Sequence, residues 1–150
     1  MSCWILPKME KSLHSQLRRF NNLREGIKMV KYTFLVCTEP YKYEAIDSML
    51  NIAEAILKKG NEIRGFFFFG SGVYNIKRDI NPGTTCRNIP ERLEKFIMKH
   101  NIKAVGCSTW ISMTGLKSEC FIDGAYEEGL GDLSNWVSES EKLIVFGAGG

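Results

Sequence analysis

The sequence predicts an α/β protein built on a mostly parallel sheet, and three observations carry that expectation. Short apolar runs alternate with segments of helical periodicity, at spacings of about 30 residues that suit βαβ units. Those runs are nearly continuous in apolarity, as strands covered on both faces are. A hydrophobic fraction of 44%, a charged fraction of 25% and a length of 150 residues fit one globular domain with a real core.

The elements follow in order. Lys31 to Cys37 is β-branched and aromatic and reads as the first strand, with Thr38 to Tyr43 as the loop after it. Glu44 to Lys59 places Ile46, Met49, Leu50, Ala53, Ile56 and Leu57 on one helical face, and Gly60 stops it. Glu62 to Phe69 is the second strand, whose four consecutive Phe fill both faces of the sheet. Gly70 to Asn88 reads as a loop long enough to be functional or mobile. Pro90 opens a helix to His100, with Ile89, Leu93, Phe96 and Ile97 inward. Ile102 to Val105 is the third strand, ending at Gly106.

Cys120 to Asp123 reads as a short strand and Gly124 to Gly131 as a glycine-rich loop. A helix over Leu130 to Glu141 rests on Leu133, Trp136 and Val137, and Leu143 to Phe146 is the last strand. No internal repeat or low-complexity tract interrupts this order.

Residues 1–29 stand apart from the domain expected over 30–150. Met9, Leu13, Leu17, Phe20 and Leu23 recur at helical spacing, and Gly26 suits a helix end. That pattern fits an amphipathic extension packed on the domain, on a partner or on an anionic surface. It equally fits a disordered segment ahead of Met29 as the natural start. Net charge is +3, with six Lys/Arg against two Glu in residues 1–29 and 14 against 15 acidic residues beyond them. The domain itself is near neutral, so no nucleic-acid partner is expected. No apolar run approaches the roughly 20 residues of a membrane span. Cys3-Trp-Ile-Leu6 before Pro7 is too short for a signal peptide's apolar region. A cytoplasmic protein is expected.

The five cysteines (Cys3, Cys37, Cys86, Cys107 and Cys120) show no CxxC and no zinc-type spacing, so they read as free thiols in a reducing compartment. Cys107 directly follows Gly106, where the third strand ends. In open α/β sheets chemistry collects at the carboxyl ends of strands, and free N–H groups of the following turn favour a thiolate there. Cys107 is therefore the candidate reactive atom, with burial as a packing residue the alternative. Ser108 and Thr109 are candidate hydroxyl donors beside it. The thiol is expected to be accessible and to alkylate ahead of Cys37 and Cys120.

Several chemistries are excluded by the residues present. A Cys-x5-Arg oxyanion cradle needs Arg where Met113 stands. A Cys–His hydrolase needs an imidazole, and the two candidates are His14 in the N-terminal segment and His100 at the far end of a helix. Gly70-Ser-Gly72 lacks the third glycine of a dinucleotide fingerprint, and no Walker A sequence occurs. No cofactor and no metal is expected. Thiol chemistry without a second protein group survives, and sulfur transfer by persulfide exchange is of that kind.

Phe66-Phe-Phe-Phe69 followed by Gly72-Val-Tyr-Asn75, Cys107 with Gly115 beyond it, and Gly129-Leu-Gly-Asp-Leu133 before Leu143-Ile-Val-Phe146 resemble the DsrE/DsrF/TusD-like sulfur-relay family. The resemblance implies a three-layer α/β/α fold with a five-stranded sheet, a homo-trimer or homo-hexamer, and donor and acceptor proteins as partners. It places the persulfide-carrying thiol on Cys107. The extra thiols are not part of that pattern: Cys37 ends the first strand on the same edge as Cys107 and suits packing or a second thiol, and Cys86 in the long loop could act as a resolving or relay thiol. By position, Trp110 could line the site, pack over the turn or sit in a subunit interface, and Tyr41 and Tyr43 could line the site. Tyr41 and Tyr43 also suit a role covering a helix N-terminus. Relatives often carry Arg just before the glycine matching Gly115, where this chain has Met113-Thr114. A non-catalytic, oligomeric interaction subunit is the alternative function.

Overall fold

In the computed structural model, which describes residues 28–147, alternating strands and helices run along the chain. They are β1 (Lys31–Val36), α1 (Ala45–Lys58), β2 (Glu62–Phe68), α2 (Ile89–His100), β3 (Ala104–Cys107), α3 (Ser108–Thr114), β4 (Ala125–Glu128), α4 (Leu130–Glu139) and β5 (Lys142–Phe146). The five strands form one sheet in the order β4-β3-β2-β1-β5, parallel throughout.

Register decides which side chains share a face, because successive residues of a strand alternate. Phe34, Phe66 and Ala104 lie in one row, and Leu35, Phe67, Val105 and Tyr126 in the next. The first row faces a large apolar core with Met49 and Ala53 of α1 and Leu93 and Ile97 of α2. This side is called the front. On the back, Phe67, Val105 and Cys107 pack under Trp136 of α4. Helices therefore cover both faces of the sheet, in three layers.

Chain order explains the asymmetry. Right-handed crossovers carry β1 to β2 to β3 to β4 stepwise in one direction, all over the front. The chain then crosses the whole sheet once, through α4, to reach β5 beside β1. Gly65 makes room for that single back helix: a Cβ there would lie 2.5 Å from the Trp136 ring and 2.9 Å from the Lys103 carbonyl oxygen.

Local chemistry fixes the front helices. Asn88 caps α2 by accepting from Glu91 N–H at 3.2 Å, Pro90 occupies its first turn, and Asn101 ends it in the left-handed region at φ 52°.

The fourth strand differs from expectation. Cys120 closes a short 3₁₀ turn, Ser118–Cys120, and Phe121 makes one antiparallel bridge to Lys77. The strand comes later, at Ala125–Glu128, inside the glycine-rich stretch read as loop. Pairing with β3 overrides the weak β propensity of Glu127 and Glu128. Gly70–Ile76 at the head of the long loop is a 3₁₀ helix, with Val73 and Ile76 fully buried. Val137, expected inward, is 38% exposed, because α4 presents mainly Trp136 to the sheet. The amphipathic pattern in residues 1–27 lies outside the described residues.

Candidate functional site

Strand ends, helix starts and the 3₁₀ helix meet along the carboxyl edge of the sheet. Cys107 is the last residue of β3, an inner strand, and its backbone caps α3 at φ −63°, ψ 121°. It pairs in register with Glu128 of β4. Two strands away, Cys37 extends β1 by one residue through a 2.8 Å hydrogen bond from its N–H to Phe146 O. Alternation puts Cys37 and Cys107 on the same back face, with Phe69 between them. Two strand spacings separate their backbones by roughly 10 Å, beyond disulfide reach.

Cys107 is 1% exposed, which corrects the expectation of an accessible thiol. Phe67, Val105 and Trp136 surround it, with Phe69, Trp110 and Leu133 completing the cluster. Trp110 meets Phe69 edge-on at 5.7 Å between ring centres and so roofs the turn. Ser108 is half-buried and Thr109 exposed, so the two hydroxyl residues begin α3 at the surface. Burial also reverses the expected order of access: Cys86 is exposed, Cys37 and Cys120 are intermediate, and Cys107 is buried. Burial pushes the Cys37 thiol above its ordinary pKa and leaves it a poorer nucleophile at neutral pH.

Tyr41 and Tyr43 do not gather around Cys107. They are 42% and 67% exposed on the β1–α1 loop, and the Tyr41 hydroxyl accepts from Ile89 N–H, at the start of α2, at 3.4 Å. Tyr41 lines a cavity of about 330 Å³ on the front side of the edge, together with Cys86, Arg87, Glu44 and Asp47. The loop forming its wall holds three non-glycine residues at positive φ, namely Tyr41 (66°), Tyr43 (55°) and Glu44 (50°).

Three polar side chains of the edge, Asn75, Glu39 and Glu128, gain their roles only in the fold, and of these the sequence singled out Asn75 alone, as part of Gly72-Val-Tyr-Asn75. Asn75 is fully buried, and its amide donates to Thr38 O at 2.8 Å and Gly72 O at 2.9 Å. It thereby clamps the loop after β1 to the 3₁₀ helix after β2. Gly72 permits that contact, since a Cβ would lie 2.2 Å from Val36 O. The Gly72-Val-Tyr-Asn75 signature carried this signal, but only the fold shows what it joins. Glu39 accepts from Ser71 Oγ at 2.9 Å and pairs with Lys42 at 3.0 Å. Hydrogen bonding from its own backbone first, then Lys42 and Ser71, holds its carboxyl at about 2. On the back, Glu128 pairs with Lys103, whose ammonium lies 5.8 Å from the Tyr126 ring centre and 5.9 Å from that of Trp136.

Among the described residues no hydrogen-bonded acid–base partner stands beside Cys107. His100 sits at the far end of α2 and bonds to Glu54 at 3.1 Å. Among the described residues no cluster of His, Cys, Asp and Glu could hold a metal ion. None of their helices is long and apolar enough to cross a membrane.

Comparison with known proteins places this architecture. The family model described as the DsrE/DsrF-like family matches residues 30–146. An uncharacterized protein of Methanopyrus kandleri is 32% identical over 122 residues, covering 81% of this chain and 97% of that protein. A protein of Allochromatium vinosum named "Putative sulfurtransferase DsrE" is 27% identical, with 79% of this chain and 99% of the relative covered. Among solved structures, the ychN protein from E. coli superposes with a TM-score of 0.69 at 24% identity, covering 79% of this chain and all of that one.

Proposed function

The chain belongs to the DsrE/DsrF-like family, and from that premise we propose that it is a sulfur carrier that holds a persulfide on Cys107. Relatives named as sulfurtransferases, including TusD of Salmonella newport at 23% identity, support a sulfur-relay role. The observation that carries the assignment to one atom is the position of Cys107, at the carboxyl end of an inner parallel strand and the first turn of α3.

The chemistry balances without a cofactor. The Cys107 thiolate attacks the outer sulfur of a donor protein persulfide, R–S–SH. The donor S–S bond breaks, R–S⁻ leaves, and Cys107 carries –S–SH. An acceptor thiolate then attacks that outer sulfur and releases the Cys107 thiolate. Because Cys107 is 1% exposed, both steps require α3 and the Trp110 roof to open. Docking of a donor or acceptor protein against the carboxyl edge supplies the occasion. The free thiols suit a reducing cytoplasm.

Self-association belongs to the same proposal. The back face leaves Tyr126, Val137, Leu143 and Val145 between 38% and 54% exposed, and a homo-trimer or homo-hexamer would cover them. Such an interface should bury at least about 1,000 Å².

A second reading, a non-catalytic interaction subunit, is favoured by two observations: the thiol is buried, and Met113-Thr114 offers no guanidinium beside it. Intact-mass spectrometry after incubation with a persulfide donor protein separates the two. A carrier gains one sulfur that peptide mapping finds on Cys107 and that Cys107→Ser abolishes. A chain that never gains sulfur at Cys107 is the interaction subunit.

A further inference from the structure

We propose that the front-side cavity around Cys86 is a second thiol site, which takes the persulfide or disulfide of a small zwitterionic amino-acid thiol. The proposal goes beyond the Cys107 reading and stands or falls without it. Cys86 is the exposed thiol among the described residues and lines a cavity of about 330 Å³, large enough for an amino-acid-sized ligand.

The polar groups around that thiol are of two kinds. The start of α1 has no side-chain cap. Lys42 O meets Ala45 N–H and Glu44 O meets Ser48 N–H, whereas the Ile46 and Asp47 N–H groups between them find no partner among the described residues. Both residues line the cavity. Arg87 stands next to Cys86 and shares the Asp47 carboxylate with Arg92, Arg87 at 3.5 Å, so two guanidiniums face one carboxylate. Free N–H groups and surplus positive charge suit a ligand carboxylate.

Glu44 supplies the opposite sign. It also lines the cavity, is exposed, and makes no ion pair among the described residues. A carboxylate free beside an anion-accepting helix start matches a ligand that carries an ammonium and a carboxylate together. An α-amino-acid thiol has both, on the carbon next to its sulfur-bearing arm. Dianionic or dicationic disulfides satisfy one half of the site and meet like charge at the other.

With the ligand seated, the Cys86 thiolate attacks the outer sulfur of R–S–SH. A Cys86–S bond forms, the ligand S–S bond breaks, R–S⁻ departs, and the proton stays on the transferred sulfur. A disulfide R–S–S–R reacts in the same way, leaving Cys86–S–S–R and R–S⁻.

The test uses the full chain and three disulfides of matched length: cystine, dicationic cystamine and dianionic 3,3′-dithiodipropionate. Mixed-disulfide formation at Cys86 is timed by peptide mass mapping, each rate divided by that of the urea-unfolded chain. The expected result is a preference for cystine of about tenfold over both others, as one or two charge-assisted contacts provide. Glu44→Gln should remove the preference over dithiodipropionate, and Arg87→Gln the preference over cystamine, while Cys107→Ser leaves both intact. Equal normalised rates for the three reagents, or a preference that survives both Glu44→Gln and Arg87→Gln, would overturn the proposal.

Discussion

The front and back faces of this sheet are made from the same five strands and reach very different degrees of completion. On the front, α1, α2 and the Gly70–Ile76 helix close over Phe34, Phe66 and Phe68, all fully buried. On the back, the ten-residue α4 rests on β1 and β2, where Trp136 fills the space over Gly65. The outer strands keep apolar side chains exposed there, Tyr126 on β4 and Leu143 and Val145 on β5. One crossover helix cannot cover a sheet of this width, since strands lie about 4.8 Å apart and a helix is roughly 10 Å across. The back layer is therefore the open side of the fold, the one the proposed self-association would cover, and Cys107 lies in the small cluster at its rim.

That contrast has measurable consequences, the largest in the core. Phe66→Ala, which removes an edge-on contact to Phe34 and a stacked one to Phe96, should cost about 3–5 kcal/mol in denaturant unfolding. Its neighbour on the other face, Phe67, is equally buried but sits in a much smaller cluster with Val105, Cys107 and Trp136, flanked by the partly buried Leu35, Phe69, Trp110 and Leu133, which can move into the gap. Phe67→Ala should cost about 1 kcal/mol less. Equal costs would break the contrast between a finished and an unfinished layer.

Charge placed on the exposed back edge should do the opposite of a core mutation. Leu143→Glu with Val145→Glu should change the stability of the isolated chain by no more than about 0.5 kcal/mol each. The same pair should convert an oligomer to monomer in light scattering at micromolar concentration. An assembly that survives both substitutions uses another surface.

Smaller effects come from titration. Burial raises the Cys37 thiol above its ordinary 9.0, so the folded chain holds that proton more tightly than the unfolded chain. The associated stability is complete below pH 9 and falls as pH climbs through the raised value. Alkylation of Cys37 in the folded chain should accordingly reach half its maximal rate above pH 9, which iodoacetamide with peptide mapping reads directly. A midpoint at 9 or below would mean that the back rim is already open to solvent.

Glu39 has the opposite sign and the smallest expected effect. Its carboxyl titrates at about 2 in the folded chain against an ordinary 4.5. Its contribution is thus present above pH 4.5 and is lost as pH falls toward 2. Carbon-detected titration of Glu39 should show that depressed midpoint, and Ser71→Ala should raise it.

Sequence alone determined most of the alternation of strands and helices, because every element but the fourth strand carries its own periodicity or stops. Ile46, Met49 and Ala53 mark the α1 face by spacing, and Pro90 marks where α2 begins. It also put Cys107 at a strand end, since an apolar run followed by Gly106 is a local signal. Ala125–Glu128 was beyond its reach: only Tyr126 in Ala-Tyr-Glu-Glu favours a strand, and the segment pairs because β3 offers an open edge. The state of Cys107 was beyond it too. Whether a thiol at a strand end faces solvent or a tryptophan depends on where α4 crosses, and that is set by Gly65, some forty residues away in sequence and on another strand. The cavity at Cys86 likewise joins the start of α1 to the loop before α2, and only the packing of those two helices side by side brings Glu44, Asp47, Cys86 and Arg87 to line one cavity. Local pattern fixes the elements, and long-range contacts decide which side chains they seal and which they leave open.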